Sequence, residues 1–300
     1  MSTSKILSEI ARQIEITTGE SIAVNTCRSV SGGCINEAWM IETTAGKTFF
    51  VKSNRDAAKA MFLSEADGLN AMRATGTIRV PEVVTVGQLD SGESFLVLEA
   101  IAAGGRAGRS TDFFETFGRS LAEMHRQGTS QRFGFDSDNW LGSSIQLNPW
   151  ENDWTQFWGE ARLAPQLKMA HDNGYSNRRL QQLGERLIDR IEDSFGSGDE
   201  PPALIHGDLW SGNYLADENG QPVIFDPACY YAHREAEFGM TKLFGSFPRT
   251  FYDAYHEAWP LSQGWESRVE LYTLYHLLNH LNLFGSSYLN GCLDILERYT

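Results

Sequence analysis

The stretch from His206 to Asp226 constrains this chain more than any other. It runs His206-Gly207-Asp208-Leu209-Trp210-Ser211-Gly212-Asn213, continues through the apolar runs 214–216 and 223–225, and ends at Asp226-Pro227. Asn219-Gly220 lies between the runs, and that dipeptide is the strongest short hairpin signal. A two-residue turn centred there pairs residues whose numbers sum to 439. Asn213 then faces Asp226 at the open end of the hairpin, with α-carbons roughly 5 Å apart, whereas a longer loop starting at Asp217 would shift that register. An amide oxygen and a carboxylate at that spacing suit one hard divalent ion such as Mg²⁺. Asp208 is left free to take the proton of an attacking hydroxyl. A base, an asparagine five residues on and a second aspartate are the parts needed for phosphoryl transfer from a magnesium nucleotide. Taken singly, each aspartate is more often a turn residue or a helix cap. The joint spacing is what points to a site.

Such a site needs a cation for the phosphates, and Lys52 ends the apolar run 48–51. The segments 22–30, 37–43 and 48–52 read as an antiparallel meander with the loop 31–36 at its first bend. In that loop Gly32 and Gly33 let backbone N–H groups approach phosphates, and Cys34, Ile35 and Asn36 complete the candidate nucleotide loop. Residues 56–74 read as a helix whose apolar stripe includes Met61, Leu69 and Met72. Glu65 falls on the same stripe. A carboxylate there requires a cationic partner, because burying it alone is expensive, and Lys52 is the candidate. A strand over 94–98 ends at Glu99. The hinge that follows, 101–105, offers backbone groups at Glu99 and Ile101 to an adenine edge. The pattern describes an α+β chain in two lobes. Residues 1–101 form a small antiparallel sheet plus helix, and 102–300 a larger, mainly helical lobe with the catalytic hairpin. Its clearest helices fall at 112–127 and 266–283, and a charged helical stretch covers 177–193.

At 300 residues the chain is long enough for two packed cores. No apolar run reaches the roughly 18 residues of a membrane span, and the first residues lack a signal-peptide core. A cytoplasmic protein is expected. The four cysteines, Cys27, Cys34, Cys229 and Cys292, are scattered and suggest neither zinc site nor disulfide framework. Net charge is −14, of which residues 1–101 hold −3 (9 Lys+Arg against 12 Asp+Glu) and residues 102–300 hold −11 (16 against 27). That balance argues against nucleic-acid binding. It favours a cationic or neutral substrate, with plain solubility an equally good explanation of the charge.

The segment 206–213 resembles the signature of the fructosamine kinase (ketosamine kinase) family, within the protein-kinase-like superfamily that also holds aminoglycoside and choline kinases. The loop 31–36, Asn152-Asp153-Trp154, Arg162-Leu163, Asp226-Pro227-Ala228, His233-Arg234-Glu235, Phe244-Gly245 with Phe247-Pro248, and 278–285 fit the same family, so the resemblance covers nearly the whole chain. It implies a protein-kinase-like fold and an ATP- and Mg²⁺-dependent kinase acting on a ketosamine, typically at the 3-hydroxyl of a fructosamine or ribulosamine. The unstable product then frees the amine of a glycated protein or small molecule. In that scheme Asp208 is the catalytic base, Asn213 and Asp226 hold the metal, and Lys52 paired with Glu65 binds phosphates. Trp210 stacks on the sugar-amine, and His206 supports the loop. Glu235 and Glu237 attract an amine, or His233-Arg234-Glu235 equally forms an internal ion pair. Cys34, over the phosphates, is a candidate redox switch through a disulfide across a dimer; monomer and homodimer are both open. Two alternatives stand beside this scheme: a kinase of another amine alcohol of aminoglycoside or choline type, and a nucleotide-binding pseudokinase.

Overall fold

Alternation of apolar side chains builds the N-terminal sheet. In the computed structural model, which describes residues 3–30, 36–55, 59–105, 108, 110–195 and 200–300, the strands are β1 (Val24–Ser29), β2 (Glu37–Thr43), β3 (Thr48–Asn54), β4 (Val83–Gln88) and β5 (Ser94–Glu99). They form one antiparallel sheet in the order β1-β2-β3-β5-β4. Successive strand residues point to opposite faces. Phe49, Val51, Phe95 and Val97 therefore join one cluster, with Leu7, Ile10 and Ile14 of an N-terminal helix, α1 (Thr3–Thr18). Leu96 and Leu98 join the other, with Phe62, Leu69 and Met72 of α2 (Lys59–Ala74). Lys52, one residue on from Val51, thus emerges on the α2 face. The helix expected at 56–74 is described from Lys59, and Met61 lies at the edge of its buried stripe. Helix α1 had not been anticipated, although Leu7, Ile10 and Ile14 follow helical spacing.

The C-terminal part is mainly helical. Helix α3 (Thr111–Gln127) is capped by the Ser110 hydroxyl, which accepts the Phe113 N–H. Residues 154–195 hold α4 (Trp154–Trp158), a π-helical turn (Gly159–Leu163), α5 (Ala164–Asp172), α6 (Arg178–Asp189) and α7 (Ile191–Phe195). The charged stretch expected over 177–193 is therefore two helices, broken at Arg190. Then come α8 (Glu237–Thr241), α9 (Arg249–Ala258), α10 (Trp265–Phe284) and α11 (Leu289–Tyr299). Three short antiparallel pairs complete it: β6 (Asn139–Leu141) with β7 (Ser144–Gln146), β8 (Ala203–Ile205) with β11 (Tyr230–Ala232), and β9 (Tyr214–Ala216) with β10 (Pro222–Ile224). One large core with many aromatic rings joins these elements to α2. Among the described residues no helix is long and apolar enough to cross a membrane.

His233 stacks on Trp154 with centroids 4.7 Å apart. Burial, opposed by Glu200 and Asp153, lowers its pKa from 6.5 to about 4. The folded-state value is the depressed one, so the stability tied to this group is full above pH 6.5 and is lost as pH falls towards about 4. The loss amounts to about 3 kcal/mol. Chemical denaturation of His233→Phe from pH 7 to pH 4 is expected to show a shallower fall in stability than the parent. Parallel curves would remove His233 as the cause.

Candidate active site

The hairpin forms, but in a different register. Ala216 pairs with Pro222, Leu215 with Val223 and Tyr214 with Ile224, so the paired numbers sum to 438. Asn213 consequently faces Phe225, whose N–H donates to the Asn213 carbonyl at 3.1 Å, and not Asp226. The cause is Asp217. Its Oδ1 accepts the N–H groups of Asn219 and Gln221, both at 2.9 Å, and its carbonyl accepts Gly220 N–H at 2.9 Å. A three-residue loop closes there with Gly220 at φ +75°, the left-handed position that such loops give to glycine.

The two candidate metal ligands are linked by the reach of the Asn213 side chain instead of by cross-strand pairing. Asn213, buried, donates through Nδ2 to the Asp208 carbonyl at 2.8 Å, to Asp208 Oδ2 at 3.1 Å and to the Asp226 carbonyl at 3.4 Å. Its Oδ1 has no donor among the described residues. Asp226 has φ +59°, and a non-glycine residue held there costs about 1–2 kcal/mol. Burial first, then the neighbouring charge of Asp226, pushes the Asp208 carboxyl well above the usual carboxylate range, with Asn213 pulling the other way. The two donors Asn213 Oδ1 and Asp226 match an ion that keeps waters and phosphate oxygens as its remaining ligands. Among the described residues no group of three or more His, Cys, Asp or Glu side chains converges on one point.

Lys52 sits where expected. Its Nζ lies 2.7 Å from Glu65 Oε1 and also contacts Asp226 Oδ1. Burial works against the charged ammonium, but the fields of Asp226 and Glu65 outweigh it and keep Lys52 protonated. One cation therefore ties β3, α2 and the end of the catalytic hairpin together.

The loop bearing Asp208 is held from beneath by groups the sequence did not assign. Glu237, at the start of α8 and 1% exposed, accepts His206 N–H at 2.6 Å and Gly207 N–H at 3.1 Å. Its Oε2 also lies 3.3 Å from His125 Nε2, and His125 Nδ1 lies 2.8 Å from the Tyr255 hydroxyl. Burial opposes the charge on Glu237, yet these partners bring its pKa below the usual value. Glu237 is therefore engaged from within the core and is not open to an amine from solvent. The available signal was a carboxylate set among Ala236, Phe238, Gly239 and Met240, which must be satisfied when buried. Arg234 pairs instead with Glu200 at 2.9 Å, and Glu235 with Arg268 at 2.6 Å. His206 is structural, as expected. Its Nε2–H donates to the Phe225 carbonyl at 2.9 Å, and its Nδ1 accepts Asp208 N–H at 3.2 Å. Gly207, at φ +79°, has no substitute: a Cβ there would meet the Ala228 carbonyl oxygen at 2.2 Å.

The remaining candidates divide. Gly32, Gly33, Cys34 and Ile35 lie outside the described residues. The Asn36 amide oxygen accepts from Asn54 Nδ2 at 2.9 Å, which fastens the end of the loop to β3. The Glu99 carboxylate is taken by Arg79 at 2.9 Å, and Arg79 also holds Asp217 at 2.7 Å. The Glu99 N–H is also taken, donating to the Glu82 carbonyl at 2.8 Å, while Ile101 keeps both backbone groups unpaired among the described residues. The Trp210 ring folds back over Gly212, where a Cβ would come within 2.4 Å of it.

This constellation has relatives. A family model described as fructosamine kinase matches residues 6–300. The protein-ribulosamine 3-kinase of Arabidopsis thaliana, a chloroplastic protein, is 47% identical over 96% of this chain and 86% of its own length. A candidate fructosamine-3-kinase from Haemophilus somnus superposes with a TM-score of 0.86 at 29% identity, covering 97% of this chain and 96% of that one. An aminoglycoside phosphotransferase solved with AMP-PNP and hygromycin B shares the fold alone, with a TM-score of 0.64 at 15% identity over 97% and 98% of the two chains. With a match that spans almost its full length, the chain belongs to the fructosamine kinase family.

Proposed function

We propose that this chain is an ATP- and Mg²⁺-dependent kinase of ketosamines, acting on the 3-hydroxyl of fructosamine or ribulosamine adducts and so promoting release of the amine. The observation that carries this reading is Asp208. It is a half-buried carboxylate, oriented by Asn213 and set beside a Lys52–Glu65–Asp226 cluster, on a loop anchored at His206 and Gly207. Asp208 holds the acceptor hydroxyl and accepts its proton as the oxygen bonds to the γ-phosphorus and ADP departs. Lys52 binds the phosphates, Asn213 and Asp226 hold the ion, and Trp210 lines the sugar side. Magnesium ATP supplies the phosphoryl group and charge neutralisation when bound. Residues 1–101 serve the nucleotide and 102–300 the acceptor, with the protein acting in the cytoplasm. The relatives' names support the substrate class.

The test is magnesium-dependent ADP release against fructosyl-lysine, ribulosyl-lysine, an aminoglycoside and choline. Stimulation by at least one ketosamine above the other two classes is expected. No response to either ketosamine would overturn the reading.

A further inference from the structure

Among the described residues only two phenylalanines are exposed, Phe244 at 48% and Phe284 at 56%. Both rest on the same side chain. The His280 ring lies 4.8 Å from Phe244 and 5.4 Å from Phe284, and Tyr288 closes a third side at 5.3 Å. His280 Nδ1 lies 2.7 Å from the His276 carbonyl. A carbonyl only accepts, so Nδ1 carries the hydrogen and Nε2 is left as an acceptor. Nε2 has no partner among the described residues. Burial lowers the pKa of His280, which keeps the ring neutral.

The backbone maintains this exposure against strain. Phe244, Gly245 and Ser246 have φ values of +49°, +103° and +40°, and two of the three are not glycine. The loop is nonetheless pinned. Phe247 N–H donates to the Thr241 carbonyl at 3.1 Å, and the Phe247 ring packs 5.1 Å from Tyr214, the residue after Asn213. Strain of this kind persists where surrounding structure imposes it, and it gathers at functional sites. Phe244 therefore hangs on a fixed loop that also touches the hairpin, and Phe284, at the end of α10, meets it across His280.

We propose that Phe244, His280, Phe284 and Tyr288 seat the amine arm of the substrate, the protonated secondary ammonium of a ketosamine and the alkyl chain attached to it. This rests on the ketosamine-kinase reading. The aromatic faces attract a cation, His280 Nε2 accepts one ammonium N–H, and the alkyl chain covers apolar surface now open to water. Residues 102–300 carry a net −11, which complements a cationic guest. The nearest lysine in sequence, Lys242, lies instead over Trp265 and Tyr252, 4.8 and 5.7 Å from the ring centroids. No cation of the described residues occupies the faces of Phe244, Phe284 or Tyr288.

The test compares fructosyl-lysine with its ether analogue, in which oxygen replaces the amine nitrogen, at saturating magnesium ATP. The parent is expected to show a KM for the amine about tenfold below that for the ether. Phe284→Leu and Phe244→Gly are expected to raise the amine KM about five- to twentyfold. The ether KM, the ATP KM and kcat should stay within about twofold, and Phe284→Tyr should behave like the parent. Phe244→Gly should also melt no lower than the parent, because glycine accepts the left-handed backbone without strain, which separates lost binding from lost folding. Unchanged amine KM values in an active parent background would overturn the seat alone. So would equal effects on amine and ether, or a patch-dependent dimer seen by sedimentation. A parent inactive on ketosamines would overturn the function and the seat together.

Discussion

Asp208→Asn is expected to lower kcat by about 10²- to 10⁴-fold while leaving ATP affinity within about threefold. The substitution keeps the shape of the side chain, and the bond from Asn213 Nδ2 to the Asp208 carbonyl survives because it is made to the backbone. What disappears is the carboxylate oxygen proposed to accept the hydroxyl proton. The proposed nucleotide contacts, Lys52 and the hinge, lie on other elements, so their free energy should be little affected. Steady-state rates with a ketosamine and calorimetric titration with ATP separate the two quantities. A variant retaining more than a tenth of parental kcat would remove Asp208 from the role of base.

Glu237→Gln is expected to damage both stability and rate. The parent carboxylate receives two backbone N–H groups and faces His125, all in the interior. An amide of the same size turns one acceptor into a donor, so a buried N–H meets an N–H. Leaving such a donor unsatisfied costs about 1–3 kcal/mol, and loss of the charge-assisted bond adds to it. At about 2–4 °C per kcal/mol, the melting temperature should fall by roughly 5–10 °C. The loop that loses its anchor begins at His206, two residues before the base, so kcat should fall at least about tenfold with the ATP KM nearly unchanged. Melting within 1 °C of the parent together with kcat within about twofold would show that Glu237 only fills space.

The parts of the site governed by short-range rules were legible. Glu65 on an apolar helical stripe demanded a cation, and Lys52 stands 2.7 Å away. His206 was expected to support its loop, and both of its ring nitrogens are used for that. The hairpin was right in place and wrong by one residue. Asn-Gly signals a two-residue turn, but the longer loop starting at Asp217 is the one that forms, because that carboxylate gathers two N–H groups. A side chain competing for turn N–H groups is local chemistry, and it decided the register against the dipeptide signal.

Contacts between distant segments were not legible. Glu237 meets His206 across 31 residues and His125 across 112, and Lys52 meets Asp226 across 174. Nor does any spacing bring Phe244 beside His280. By itself the sequence determined the candidate parts, namely the proposed base, the proposed metal-ligand types and phosphate cation, and the helix that pairs that cation. Those follow from periodicity, turn chemistry and the cost of burying charge, which act over a few residues. Only the tertiary structure decided what anchors the base, how Asn213 reaches both aspartates, and which aromatic rings stay open to water. Those outcomes depend on how the helical core packs around the hairpin, and packing is a property of the whole chain.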